Sequence, residues 1–145
     1  MGSILAIDYG LKRIGLAVSD PNRVFAFPCG AIENKNFDFV LSNIKNIILE
    51  KEVDLIIIGM PYDQRSKIGD QKPEKNKMEK LICEFIKKIK NTIDISIEAV
   101  DERFSSFIAN ENLKERGISA KKSRTFVDTE AARILLEEFI RSFKG

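Results

Sequence analysis

Apolar positions along the chain change their period several times, and each change marks a predicted element. Ile4-Leu5-Ala6-Ile7 is an unbroken apolar run that reads as a buried strand, and Ile14 to Val18 reads as its return partner. Asp20-Pro21-Asn22-Arg23 is a turn sequence. Val24 to Ile32 then reads as a third strand, interrupted near Pro28, which has no N–H to give to a ladder. Three strands joined by short turns predict an antiparallel meander.

From Phe37 the period lengthens. Phe37, Val40, Leu41, Ile44, Ile47 and Ile48 recur at three and four, which predicts an amphipathic helix ending near Glu52. Leu55-Ile56-Ile57-Ile58 carries no polar alternation, so both faces should be covered, as in a central parallel strand. Gly59-Met60-Pro61 ends it. Residues 62–76 are polar, contain Gly69 and Pro73, and read as a loop. Met78, Leu81, Ile82, Phe85, Ile86 and Ile89 mark a second helix. Ile93, Ile95, Ile97 and Ala99 alternate with Asp94, Ser96 and Glu98, the pattern of a half-exposed strand nearer an edge.

Beyond Asp101-Glu102-Arg103, Ser105 or Ser106 is placed to cap a helix running to about Arg116, with Gly117 as its stop. A basic connection containing Lys121, Lys122 and Arg124 follows. The last helix starts near Asp128 and carries Ala131, Ala132, Leu135, Leu136 and Phe139 on one face. The expected order is β-β-β-α-β-α-β-α-α. It predicts an α/β fold: a five-stranded mixed sheet, built from a three-strand antiparallel meander and two parallel strands, flanked by helices.

This order brings carboxylates together. Right-handed crossovers make the strands at 55–58 and 93–100 parallel to the first, so their carboxyl ends share one edge of the sheet, where open α/β sheets bind ligands. Asp8 ends the first strand and the pair Asp101-Glu102 ends the last. Strand parity puts the two members of that pair on opposite sides, and either is open as the ligand. Asp128 lies one turn before Ala131 and Ala132, on the buried stripe of the final helix. A carboxylate facing a core is costly without a partner. Each acid also has a plainer reading: Asp8 as part of an Asp-x-Gly turn, Asp101-Glu102-Arg103 as a local ion pair, and Asp128 as a complement to the helix dipole.

Composition sharpens the chemistry. The chain has 145 residues, 43% of them hydrophobic, which suits one domain spanning residues 1–145. No run is long enough to span a bilayer, and no secretory leader is evident, so a soluble cytoplasmic protein is expected. Cys29 and Cys83 are far apart and read as reduced thiols. The chain has no histidine, which removes Ser-His-Asp and Cys-His nucleophile pairs and His-containing zinc sites. Carboxylates without histidine suit a hard cation such as Mg²⁺ or Mn²⁺. Net charge is +2, yet residues 65–90 hold nine Lys/Arg against four Asp/Glu. A basic sector beside a carboxylate site fits a nucleic-acid enzyme, although a solvated helix face has the same composition.

Four blocks together resemble a known family. They are Asp8-Tyr9-Gly10-Leu11-Lys12-Arg13-Ile14-Gly15-Leu16-Ala17-Val18-Ser19-Asp20, the turn Gly59-Met60-Pro61, Asp101-Glu102-Arg103-Phe104-Ser105-Ser106, and Asp128-Thr129-Glu130-Ala131-Ala132-Arg133-Ile134-Leu135. In this order and spacing they resemble the signature blocks of the YqgF/RuvX family over nearly the whole chain. The resemblance implies an RNase H-like fold, kinship with Holliday-junction resolvases, and a nuclease role in maturing the 5′ end of precursor 16S ribosomal RNA. It further implies that Asp8, an acid of the Asp101-Glu102 pair and Asp128 hold the Mg²⁺ or Mn²⁺. Lys12, Arg13, Arg103, Lys121, Lys122 and Arg124 would contact phosphates. One departure is local: where the family has an Asp-Gly-Ser/Thr-like segment after the Gly-x-Pro turn, this chain reads Tyr62-Asp63-Gln64-Arg65-Ser66-Lys67.

Structured RNA, within a pre-ribosomal particle, is thus the expected partner, with no membrane and with a monomer or a homodimer both open. A resolvase acting on branched DNA would use the same acids. An RNA-binding assembly factor without catalysis would use only the basic residues. An Asp-x-Gly turn also cradles nucleotide phosphates in sugar-kinase-like and actin-like proteins, but those folds need two such domains around a cleft.

Overall fold

The computed structural model describes residues 2–60, 73–101 and 120–144, and among these it describes the side chains of residues other than 73–76, 101, 120–129 and 143–144. The strands are β1 (Ser3–Asp8), β2 (Arg13–Ser19), β3 (Ala26–Glu33), β4 (Val53–Met60) and β5 (Ser96–Asp101). The helices are α1 (Phe37–Lys51), α2 (Pro73–Thr92) and α3 (Ala120–Lys144). All five strands form one sheet in the order β3-β2-β1-β4-β5. The β1–β2 and β2–β3 pairs are antiparallel, whereas β1–β4 and β4–β5 are parallel. The predicted meander with two parallel additions is therefore what forms, with β4 inside the sheet and β5 at its edge.

Strand alternation divides the interior into two layers. Leu5 and Ile7 of β1, Ile14, Leu16 and Val18 of β2, and Ile56 and Ile58 of β4 pack with Val40 and Ile44 of α1 and with Ile82, Phe85 and Ile89 of α2. The intervening residues Ile4, Ala6, Ala17, Leu55 and Ile57 point the other way, onto Ala132, Leu135, Leu136 and Ile140 of α3. Ile56, Ile57 and Ile58 are all fully buried, as expected for a strand covered on both sides. Ala6, Ala17 and Ala132 are the small members of this otherwise Ile- and Leu-built layer, and α3 packs over β1, β2 and β3.

The local signals explain the boundaries. The Asn36 side chain accepts the Phe39 N–H at 2.8 Å and caps α1. At the far end Glu52 turns left-handed and donates its N–H to the Ile48 carbonyl. In β3 the register shifts between the partners of Gly15 and Ala17, and Gly30 sits at φ 81°. Pro28 is tolerated because β3 is an edge strand with a bulge beside it.

Three boundaries differ from expectation. Residues 73–76, read as part of the loop, belong to α2, whose first residue is Pro73. Proline suits that position, because its missing N–H would have no partner in the first turn. Lys121, Lys122 and Arg124 are not in a connection but in the first turns of α3. β5 begins at Ser96, because the Ile93 N–H bonds to the Ile89 carbonyl at 2.7 Å and closes α2 instead. The helix expected at 105–116 and the loop at 62–72 lie outside the described residues. No helix among the described residues is long and apolar enough to cross a membrane.

Candidate active site

Asp8 is the last residue of β1 and is half-buried. It follows Ile4 and Ala6 in alternation and so lies on the α3 side of the sheet. Its partner across the β1–β2 ladder is Gly15. On the other flank Ile7 pairs with Ile58, so the residue beside Asp8 one step on is Gly59. Asp8 thus stands in register between two positions without side chains.

The loop after Asp8 is held tightly. A Cβ on Gly10 would fall well inside van der Waals contact with the Arg13 carbonyl oxygen, so only glycine fits the turn as built. Asn34, just beyond β3, braces the loop twice: its side-chain amide donates to the Gly10 carbonyl at 2.9 Å, and its backbone N–H donates to the Lys12 carbonyl at 2.8 Å. Sequence reasoning missed Asn34, because nothing local ties it to a loop 24 residues earlier. Lys12 is exposed and Arg13 half-buried, and both line an open groove of about 550 Å³ together with Leu11, Glu33 and Asn34. Tyr9 turns to the opposite layer, where its ring lies 4.9 Å from that of Phe85.

The remaining predicted residues are placed by their backbone. Asp101 ends β5 in register with Met60, one step after the Gly59–Val100 pair. Asp128 lies in α3 four residues before Ala132, at the spacing of the stripe that packs on the sheet. Lys121, Lys122 and Arg124 precede it on the same helix. Glu102 and Arg103 lie outside the described residues. Among the described residues no group of three Asp, Glu or Cys side chains is placed to hold a metal, since of the predicted acids only the Asp8 side chain is among them.

Arg133, in the fourth resemblance block, has a structural role. Its guanidinium bonds Glu130 at 2.9 Å and Glu137 at 2.6 Å along α3. The hydrogen bond to Glu130 is the main cause that holds its pKa above the ordinary value. This cation is neutralised within its own helix.

The meander, the parallel crossovers and a carboxylate at the end of the first strand define an RNase H-like α/β domain. A solved structure of T. thermophilus RuvC in complex with Holliday junction substrate shares this fold, with a TM-score of 0.61 at 12% identity, covering 100% of this chain and 97% of the other. The family model described as "RuvX: Holliday junction resolvase" matches residues 2–142, and the chain belongs to that family. A relative from Maridesulfovibrio salexigens, named "Putative pre-16S rRNA nuclease", is 35% identical over 94% of this chain and 96% of its own. One of the same name from Roseiflexus sp. is 31% identical over 97% of this chain and 95% of its own.

Proposed function

We propose that this protein is a Mg²⁺- or Mn²⁺-dependent endonuclease that hydrolyses phosphodiester bonds of structured RNA in the cytoplasm, at the 5′ end of precursor 16S rRNA. The observation that carries this reading is the Asp8 carboxylate at the carboxyl edge of the sheet, set in register between Gly15 and Gly59. The names of the relatives supply the substrate.

Asp8, Asp128 and one acid of the Asp101-Glu102 pair would hold the cation. The donor set fits it: hard oxygen ligands from a chain without histidine. Either acid of that pair is open as the third ligand; β5 brings its end, at Asp101, beside Met60 at the carboxyl edge of β4. A divalent cation held by these residues would supply activation of a water nucleophile and stabilisation of the departing oxygen. The protein's own part is to orient the strand: Lys12 and Arg13 at the loop, Arg103 after β5, and Lys121, Lys122 and Arg124 on α3 would contact phosphates.

A second reading, cleavage of branched DNA by a homodimer, draws on the family's description as a resolvase. Cleavage of a labelled precursor 16S 5′-leader fragment and of a four-way DNA junction, each by the wild type and by Asp8→Asn, separates the two. Site-specific RNA cutting lost in the variant supports the RNA reading. Junction cutting alone, again lost in the variant, replaces it with the resolvase.

A further inference from the structure

Behind the loop that follows Asp8 lies a pocket that the nuclease reading does not use. It opens between the end of β1 and helices α1 and α2, has a volume of about 150 Å³, and is walled by the rings of Tyr9, Phe37 and Phe85. The Phe85 ring is buried, 4.9 Å from Tyr9 and 6.1 Å edge-on from Phe37, whereas Tyr9 and Phe37 are only half-buried. Three polar side chains stand at its rim: Asn34, Glu84 and Lys88. Because the Asn34 amide nitrogen is engaged with the Gly10 carbonyl, its oxygen is left as an acceptor. The Lys88 ammonium lies 5.4 Å from the centre of the Phe37 ring.

We propose that this pocket receives one unpaired pyrimidine base of the RNA strand held at the carboxylate edge, an assignment that rests on the nuclease reading above. Size selects the ring. A cavity of roughly 150 Å³ accepts a single benzene ring, so a one-ring base seats in it with less displacement of the walls than a purine does. Half-exposed aromatic faces are the platform on which unstacked bases lie. The rim matches a pyrimidine edge: Lys88 donates to the ring O2, and the Glu84 carboxylate and Asn34 oxygen accept from cytosine N4 or uracil N3. Position ties the pocket to the reaction. Tyr9 follows Asp8 directly, and their side chains leave the sheet on opposite sides, so a strand crossing the edge sets its phosphate on one side and its base on the other.

The test uses hairpin RNAs whose loop carries one 5-iodouridine, with 8-bromoadenosine at the same place as the purine control, photocrosslinked to the full chain. The expected result is a uridine crosslink in the peptide that contains Tyr9, Phe37 or Phe85, with little from the purine. Leu81→Trp, which fills the pocket, abolishes that crosslink and weakens binding of the uridine hairpin roughly 5- to 150-fold, the worth of one stacked base. Lys88→Ala, a change at an exposed position, weakens binding of the uridine hairpin more than that of a fully paired duplex, so that the uridine preference falls. RNA binding without base preference, or crosslinks elsewhere, overturns the pocket and leaves the nuclease reading standing. Absence of both RNA binding and RNA cleavage overturns the two together.

Discussion

Asp8 faces Gly15 across the β1–β2 ladder, so the position beside Asp8 on β2 carries no side chain. Gly15 is buried, so this is not a surface glycine free to vary. Gly15→Val puts two methyl groups beside the carboxylate. Cleavage should fall roughly 10²-fold, the size of effect that an ångström of misplacement produces, while RNA affinity holds. Single-turnover cleavage alongside equilibrium binding reads the two effects separately.

Gly10 makes a related prediction about the loop itself. Gly10→Ala forces the backbone away from the Arg13 carbonyl and so from the Asn34 brace. Overpacking and lost bonding should cost about 1–3 kcal/mol, read as a lowered denaturation midpoint. Asn34→Ala should weaken cleavage through the same loop with a smaller loss of stability.

The pattern of apolar residues revealed the sheet because burial dictates it directly. Ile56-Ile57-Ile58 has no polar member, and that alone marks a strand covered on both faces. Boundaries were legible only where they carried a distinct local signal. Pro73 reads equally as a loop residue or as the first residue of a helix, and the structure uses the second. Lys121, Lys122 and Arg124 hid the start of α3, because the apolar stripe that betrays a helix begins only near Ala131. Ile93 fitted the alternation of β5 while closing α2. At the site, Asp8 was legible as an acid ending an apolar run, but its glycine flanks follow from register, which no single segment contains. Asn34 was hidden for the same reason.

Ser19 supplies a stability test away from the site. Its buried hydroxyl accepts the Ile4 N–H at 2.8 Å and donates to the Asp20 carbonyl at 2.9 Å. Ser19→Ala leaves a buried N–H without its acceptor, at a cost of about 1–3 kcal/mol. Chemical denaturation should show the loss with the slope unchanged.

At the opposite edge of the sheet from the carboxylates, Asp54 accepts the Gly2 N–H at 2.9 Å and pairs with Arg23. The Gly2 hydrogen bond chiefly, and then Arg23, hold its pKa below the ordinary carboxylate value. A carboxylate with a depressed pKa in the folded state stabilises above its unfolded pKa. It loses that contribution as the pH falls toward the folded one. Asp54→Asn should therefore flatten the acid limb of the stability profile and leave the slope near neutral pH unchanged, measured by thermal unfolding across pH. Because Asp54 is largely exposed, the effect should be small and weakened by salt.

The central claim is that the carboxylate edge built on Asp8 cuts RNA with a divalent cation. Its most direct test is single-turnover cleavage of the precursor 16S leader fragment across a Mn²⁺ titration, with wild type and Asp8→Asn at equal RNA occupancy. The wild type is expected to cut at one site with saturable Mn²⁺ dependence. The variant is expected to bind the RNA equally but not to cut it at any Mn²⁺ concentration. Equal cutting by both proteins, or cutting by the wild type in excess chelator, would contradict it.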